Sequence, residues 1–362
     1  VNAALGGRGI NVTKTTSGTV TLTAENTFSG TVLVNGGKLV LAHEAYPGAL
    51  SNDGVSVNVN GGTLGLTYNE TVNGFTLTSG SVTNESATAA RLTSNTRFDL
   101  RSGTIDPYLN GTNGLTKSTS GTVTLNGANT YTGTTLVNGG TLRIGSTGSL
   151  VAGSDVTVAS GAMLSNAGTV ASSVTIKSGG TVFNNGGAIG NRVDVSGMLY
   201  GTGTVGAVTL NAGGIIGAGT NGTIGTLNTG ALTWNAGGTY SFDFGSSGNS
   251  DLLNINGGLK LLGSGTFNLL LNSSTFDGKT DGQWLLLDTT TGITGFNPAN
   301  WAINGSSLAD YTGLFSVALN PTDGSALMLT YTAVPEPQTY ALFFGLGTFG
   351  LIVFRRFRAK RA

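Results

Sequence analysis

A chain of 362 residues with 61 glycines, 9% charged residues and no cysteine has the wrong composition for a charged helical enzyme or a disulfide-stapled domain. Its hydrophobic share of 38% and mean hydropathy of +0.14 exclude a disordered Gly/Ser linker, so the chain can bury a core. The formal net charge is zero, but Arg355, Arg356, Arg358, Lys360 and Arg361 crowd the C-terminus; the body is therefore mildly acidic and offers no basic face for nucleic acid.

Val1 is not followed by a charged-then-apolar leader, so an exported form is expected to have been truncated or processed upstream. The first periodic segment, Ser17 to Val40, reads SGTVTLTAENTFSGTVLVNGGKLV and returns without gaps at Ser120 to Arg143 as SGTVTLNGANTYTGTTLVNGGTLR. Lys14 and Lys117 precede the two copies at the same offset. Within a copy, Val20 and Leu22, Val32 and Val34, and Leu39 and Leu41 alternate with polar residues, the period of a strand with one face inward. Between these strands, Asn-Thr-Phe-Ser-Gly and Asn-Gly-Gly supply residues that tolerate tight turns.

The turn recurs as Asn60-Gly61-Gly62, Ser178-Gly179-Gly180, Asn211-Ala212-Gly213-Gly214, Asn235-Ala236-Gly237-Gly238 and Asn256-Gly257-Gly258. Intervals of roughly twenty to twenty-five residues suit one coil of a solenoid. A dozen coils stacked at about 4.8 Å would make a rod on the order of 60 Å long. An antiparallel sandwich with Asn-Gly hairpins is the competing arrangement, but it leaves the coil-length recurrence unexplained. After Thr239 the strands become bulkier, beginning with the alternating Tyr240, Phe242 and Phe244, as expected of a block that closes the solenoid end. The expected divisions are two solenoid blocks at 1–103 and 104–235, a C-terminal β capping module at 236–332 and a tail at 333–362.

In the tail, Val334, Pro335, Glu336 and Pro337 form an extended spacer before an uncharged apolar stretch at about 340–354, and the five basic residues follow. As a helix this stretch reaches roughly 22 Å, short of a hydrocarbon core of about 30 Å, with Tyr340 and snorkelling arginines extending it. One C-terminal transmembrane helix is expected, with its basic end cytoplasmic. The order of Val-Pro-Glu-Pro, apolar stretch and Arg-rich end resembles the PEP-CTERM sorting signal. That resemblance implies an exosortase-type processing enzyme as partner and membrane attachment through the helix.

SGTVTLNGANTYTGTTLVNGGTL is similar to the autotransporter-associated β-strand repeat, which implies an all-β chain folded as a right-handed parallel β-helix displayed outside the cell. Relatives of that type often precede a translocating barrel, and none is expected here.

Polysaccharide-cleaving β-helices need carboxylates clustered on adjacent coils. Here Asp53, Asp99, Asp106, Asp155, Asp194, Asp243 and Asp251 stand singly, and no Gly-Gly-x-Gly-x-Asp calcium repeat occurs. Arg91, Arg97 and Arg101 with Asp99 and Asp106 form the one charge-rich patch of the body, read as a solvated loop. His43, the sole histidine, sits in a turn-like context, and triplets such as Asn69-Glu70-Thr71 and Asn84-Glu85-Ser86 follow from composition. The expectation is therefore an exported, non-enzymatic spacer or adhesin with no catalytic, cofactor-binding or metal-ligating residue, anchored at least transiently before reaching the cell surface or matrix. The alternatives are a polysaccharide-acting or glycan-binding β-helix, with extracellular polysaccharide as partner, and an autotransporter passenger lacking its barrel.

Overall fold

A computed structural model describes residues 4–44, 48–50, 54–220, 222–245, 248–308 and 313–334. Short strands succeed one another along the chain, and each pairs not with its sequence neighbour but with the equivalent strand about twenty residues away. Turn residues break each strand after a few alternations, and the chain can bury its apolar face only by stacking coil upon coil.

Three sheets result, running along the long axis. The first carries Val12–Lys14, Thr31–Val34, Leu115–Lys117, Thr135–Val137, Val156–Val158 and their successors to Ile293–Thr294, all in parallel register. The second carries Thr19–Leu22, Lys38–Leu41, Thr122–Leu125, Gly140–Ile144, Ala162–Asn166 and their successors to Trp301–Asn304, again parallel. The third is built from much shorter pieces, Ala128–Asn129, Ser149–Leu150, Thr169–Val170, Ala188–Ile189 and Thr204–Val205, before it lengthens at Thr226–Thr229. The chain is thus an all-β parallel β-helix, as expected. Each sequence repeat supplies a strand of the second sheet, a corner of the third, a strand of the first and the next strand of the second.

The alternation read from sequence is the inside and outside of this helix. Val32, Val34, Leu39, Leu41, Val123, Leu125, Leu142 and Ile144 are buried in one continuous core, while Thr19, Thr122 and Arg143 face out. Gly37 and Gly140, the second glycines of the two Asn-Gly-Gly turns, adopt φ of 61° and 59°. A Cβ at Gly140 would collide with the Thr119 and Gly121 carbonyls, so the repeat needs glycine there for both conformation and space. At Asn60-Gly61-Gly62 the same turn is straightened into the long strand Ser56–Leu66, which crosses from the first sheet to the second with register shifts around Asn60.

The parallel ladders continue through the bulkier strands, Leu232–Asn235 to Leu259–Leu262 in the first sheet and Thr239–Asp243 to Phe267–Asn272 in the second. Tyr240, Phe242 and Phe244 point into the core, where Trp234 and Trp301 meet edge to face at 5.5 Å and Phe244 meets Trp284 at 4.7 Å. The third sheet alone changes direction: Gly282–Thr289 pairs antiparallel with Ala326–Thr332, which pairs antiparallel with Leu314–Leu319. This folded-back pair covers an edge that would otherwise accept another coil. Among the described residues the one helical element is a 3-10 turn at Pro298–Asn300, and no helix is long and apolar enough to cross a membrane. The transmembrane helix expected at about 340–354 lies outside the described residues.

Candidate functional site

A cleft of about 600 Å³ opens on the outer side of the second sheet, near its C-terminal end, with Asp243, Asn249, Asn272, Thr275 and Ser307 among its lining. Strand Thr239–Asp243 turns Tyr240 and Phe242 inward, which places Ser241 and Asp243 on the outer face; both are nevertheless buried, Asp243 to 4% exposure. Asp243 Oδ2 accepts the Gly222 amide at 2.7 Å. Asp251 Oδ1 accepts the Gly225 amide at 2.8 Å and its Oδ2 accepts the Asp243 amide at 3.1 Å. The two carboxyls thereby fasten the loop after Ile215–Ala218 to the following coils. Burial pushes Asp251 up to about 8 and raises Asp243 above the usual carboxylate range. Asn272 Nδ2 donates to Ser241 Oγ at 3.1 Å, and Ser307 Oγ donates to the Leu271 carbonyl at 2.6 Å.

Sequence separation had left Asp243 and Asp251 as single acids, whereas a loop between strands brings them into contact. The reverse holds for the charge-rich patch. Asp99 and Arg101 pair at 2.8 Å on the first sheet, Arg91 lies on the separate three-stranded ladder of Glu70–Val72, Arg91–Ser94 and Tyr108–Asn110, and Asp106 accepts Asn126 Nδ2 at 2.8 Å. Arg97 reaches across coils to the Thr134 carbonyl at 2.8 Å and the Leu115 carbonyl at 3.2 Å. Asp155 accepts the Ser173 amide at 3.0 Å and Asp194 pairs with Arg192 through Nε at 2.8 Å. These groups bind neighbouring backbone and side chains on different faces and do not converge. His43 Nδ1 lies 3.2 Å from the Thr23 carbonyl, and Asp53 lies outside the described residues. Asn69 and Asn84 use their Oδ1 atoms to accept the Arg91 and Ala90 amides at 2.9 and 2.8 Å. Among the described residues, no group of three or more His, Asp or Glu side chains gathers as a metal site.

The polar groups that sequence reasoning missed are inside. Asn26 and Asn129 occupy the same position of the two repeats, nearly fully buried, and each serves three backbone groups. Asn129 accepts the Leu109 amide at 3.1 Å and donates to the Gly127 and Ser149 carbonyls at 2.8 and 3.0 Å. Asn26 does the same for Leu5, Ala24 and Ala49. At an equivalent corner Glu70, 2% exposed, accepts the Ala49 and Leu50 amides at 3.0 and 2.8 Å, and burial pushes it up to about 8. Lys14 and Lys117 are buried where the first sheet turns into the second. Lys117 donates to the Thr119 carbonyl and, at 2.9 Å, to that of Gly139; Lys14 donates to the carbonyls of Thr16 and Gly36. The shared offset of the two lysines was the available signal, since a buried cation that caps an Asn-Gly-Gly turn must keep its distance from that turn.

Strand Ala326–Thr332 is the last element before the tail. The Ala333 amide donates to Asp281 Oδ1 at 2.8 Å, and Val334 emerges 52% exposed. Pro335, Glu336, Pro337, Arg355, Arg356, Arg358, Lys360 and Arg361 lie outside the described residues.

Comparison with known families agrees with both halves of this architecture. Residues 12–41 and 115–144 match the passenger-associated-transport-repeat, and residues 333–358 match the PEP-CTERM protein-sorting motif. Each repeat match begins just before a buried lysine and ends with a strand of the second sheet. A search of curated proteins finds no match. The sorting motif implies processing by an exosortase-type enzyme, and together with the repeats it points to export toward the cell surface. The chain is a β-solenoid repeat protein with two passenger-associated-transport-repeats and a C-terminal PEP-CTERM protein-sorting motif.

Proposed function

We propose that this chain is a non-enzymatic spacer or adhesin of the cell surface or extracellular matrix, held transiently at the membrane by its tail and released when the tail is processed. The observation that carries this reading is the joining of an unbroken, charge-poor solenoid to a sorting motif directly after its last strand. A parallel stack converts sequence length into reach at about 4.8 Å per coil, and its outward rows of Thr, Ser and Asn present a neutral, hydrated surface. Most of the acids and arginines that an enzyme would need together are spent on separate corners and loops, and the two acids that meet, Asp243 and Asp251, are engaged by backbone amides, which supports the non-enzymatic reading. For membrane attachment, the supporting feature is the apolar stretch 340–354 followed by five basic residues.

Glycan binding is a second reading, favoured by one observation. Phe183 and Tyr200 are register partners on the outer face of the second sheet, both half-buried, and Tyr200 lies over Gly217, where a Cβ would meet its ring at 2.6 Å. Incubating the purified chain with a panel of extracellular polysaccharides, with both retention of the polymer and its end groups measured, distinguishes the readings. The spacer reading expects neither retention nor new reducing or unsaturated ends, retention without cleavage would favour glycan binding, and reproducible cleavage of any one polymer would overturn the non-enzymatic reading.

A further inference from the structure

A second cleft, of about 600 Å³, opens at the corner that follows strands Gly103–Ile105 and Thr122–Leu125 of the second sheet. Its size falls within the range of about 300–1,000 Å³ common to ligand sites. The two strands are register partners, so the residues that follow them stack. The Asn126 amide donates to the Ile105 carbonyl at 2.9 Å, and Asn126 Nδ2 donates to Asp106 Oδ1 at 2.8 Å. Tyr108 and Ala128, which open the next strand of each coil, also line the cleft, as do Asn84 from the coil before and Thr147 from the coil after.

The polar groups here keep bonding capacity that the fold does not use. Asp106 Oδ2, the Tyr108 hydroxyl and Asn84 Nδ2 have no hydrogen-bond partner among the described residues. Thr147 donates its hydroxyl hydrogen to the Asn126 carbonyl at 3.0 Å, which leaves its lone pairs. Asp106 belongs to none of the ion pairs among the described residues. Nor does the corner require this set. The first repeat block builds the same corner around Asn26, which holds the Leu5 amide as Asn129 holds that of Leu109. There Ala4, Thr23 and Glu25 stand in the places of Tyr108, Asn126 and Ala128.

A carboxylate oxygen that only accepts, an amide nitrogen that only donates and hydroxyls that do both are complementary to adjacent sugar hydroxyls, each of which donates once and accepts besides. The half-buried Tyr108 adds a ring with an apolar face for the C–H side of a pyranose. An anionic sugar would bring its charge up to Asp106, and a ligand without hydroxyls would leave the polar groups unpaired. The bond between Asp106 and Asn126 holds both side chains before a ligand arrives, which lowers the ordering cost of binding. We propose that this corner cleft binds a neutral hexopyranose unit of an extracellular glycan, with Tyr108 against the ring and Asp106, Asn126 and Asn84 on its hydroxyls. The assignment deepens the adhesin form of the proposed function and rests on it.

The first repeat block supplies substitutions that the same corner already accommodates: Tyr108→Ala, Asn126→Thr and Ala128→Glu. Titration calorimetry of the full chain with neutral gluco-, galacto- and manno-oligosaccharides, and with oligouronates, measures the site. At least one neutral oligosaccharide is expected to bind, and oligouronates to bind about tenfold more weakly or less. Each of the three variants is expected to weaken binding by about tenfold or more with its β-sheet circular dichroism unchanged. Phe183→Ser with Tyr200→Ser is expected to leave it as it was. Absence of binding to every neutral oligosaccharide would overturn the proposal and, with export intact, leave the spacer form of the function standing. Binding that the three cleft variants keep and the Phe183 and Tyr200 substitutions abolish would overturn it too, while leaving the adhesin form intact. A preference for oligouronates would equally overturn it.

Discussion

Glu70 makes the stability of this solenoid depend on pH in an unusual direction. Its carboxyl is buried at a corner where its partners among the described residues are the Ala49 and Leu50 amides, and burial pushes it from 4.5 up to about 8. Between those values the folded state holds a proton that the unfolded chain has lost. The contribution of Glu70 is therefore fully present below about pH 4.5 and is lost as pH rises to about 8, beyond which it is flat. At 1.36 kcal/mol per unit, the full window amounts to on the order of 3–5 kcal/mol. Glu70→Gln keeps an acceptor oxygen for the corner and cannot titrate. Urea denaturation of wild type and variant at intervals from pH 4.5 to 8.5 isolates the term, because Asp251, raised in the same sense, contributes equally to both proteins. The variant should gain on the wild type steadily with pH and be the more stable of the two at pH 8. A difference that stays constant with pH, or grows against the variant, would refute the assignment of Glu70 as a buried acid held neutral.

Other substitutions probe the corners and turns. Asn129→Leu leaves the Leu109 amide and the Gly127 and Ser149 carbonyls without their buried partner; a loss of about 2–4 kcal/mol is expected by denaturation, with faster hydrogen exchange at Leu109. Gly140→Ala forces a side chain into φ of 59° and against the Thr119 and Gly121 carbonyls, and should cost about 2 kcal/mol or more, while Gly161→Ala, whose Cβ meets nothing, should cost only the conformational part, about 1–2 kcal/mol. Equal losses at the two glycines would show that the turn is not sterically closed.

Much of this architecture is legible in the sequence because a solenoid repeats its own instructions. Val32 and Val34, or Leu142 and Ile144, announce their face by alternation, and Asn-Gly-Gly marks where the first sheet turns into the second. The third sheet is not announced. Pieces such as Ala128–Asn129 and Ser149–Leu150 are too short to show a period, and only stacking on the coils above and below makes them strands. The buried polar groups were hidden for a related reason. Asn129, Glu70 and Asp243 each find partners in a neighbouring coil, some twenty residues away, and that register is a product of the fold. Proximity in sequence misled in the other direction at Arg91, Asp99 and Arg101, since a corner sends Arg91 to a different face. The bulky strands after Thr239 signalled a change in the core, but not that the parallel ladders would run on through it before an antiparallel pair folds back.

The central claim is that the solenoid is a passive body and the tail its address. The decisive measurement is the intact mass and location of the protein in cells that contain the exosortase-type enzyme, for wild type and for Pro335→Ala with Glu336→Ala. The account predicts that the wild type leaves the membrane fraction without the mass of its apolar and basic tail, and that the variant stays there with Ala362 in place. Identical masses and identical locations for the two proteins would contradict it.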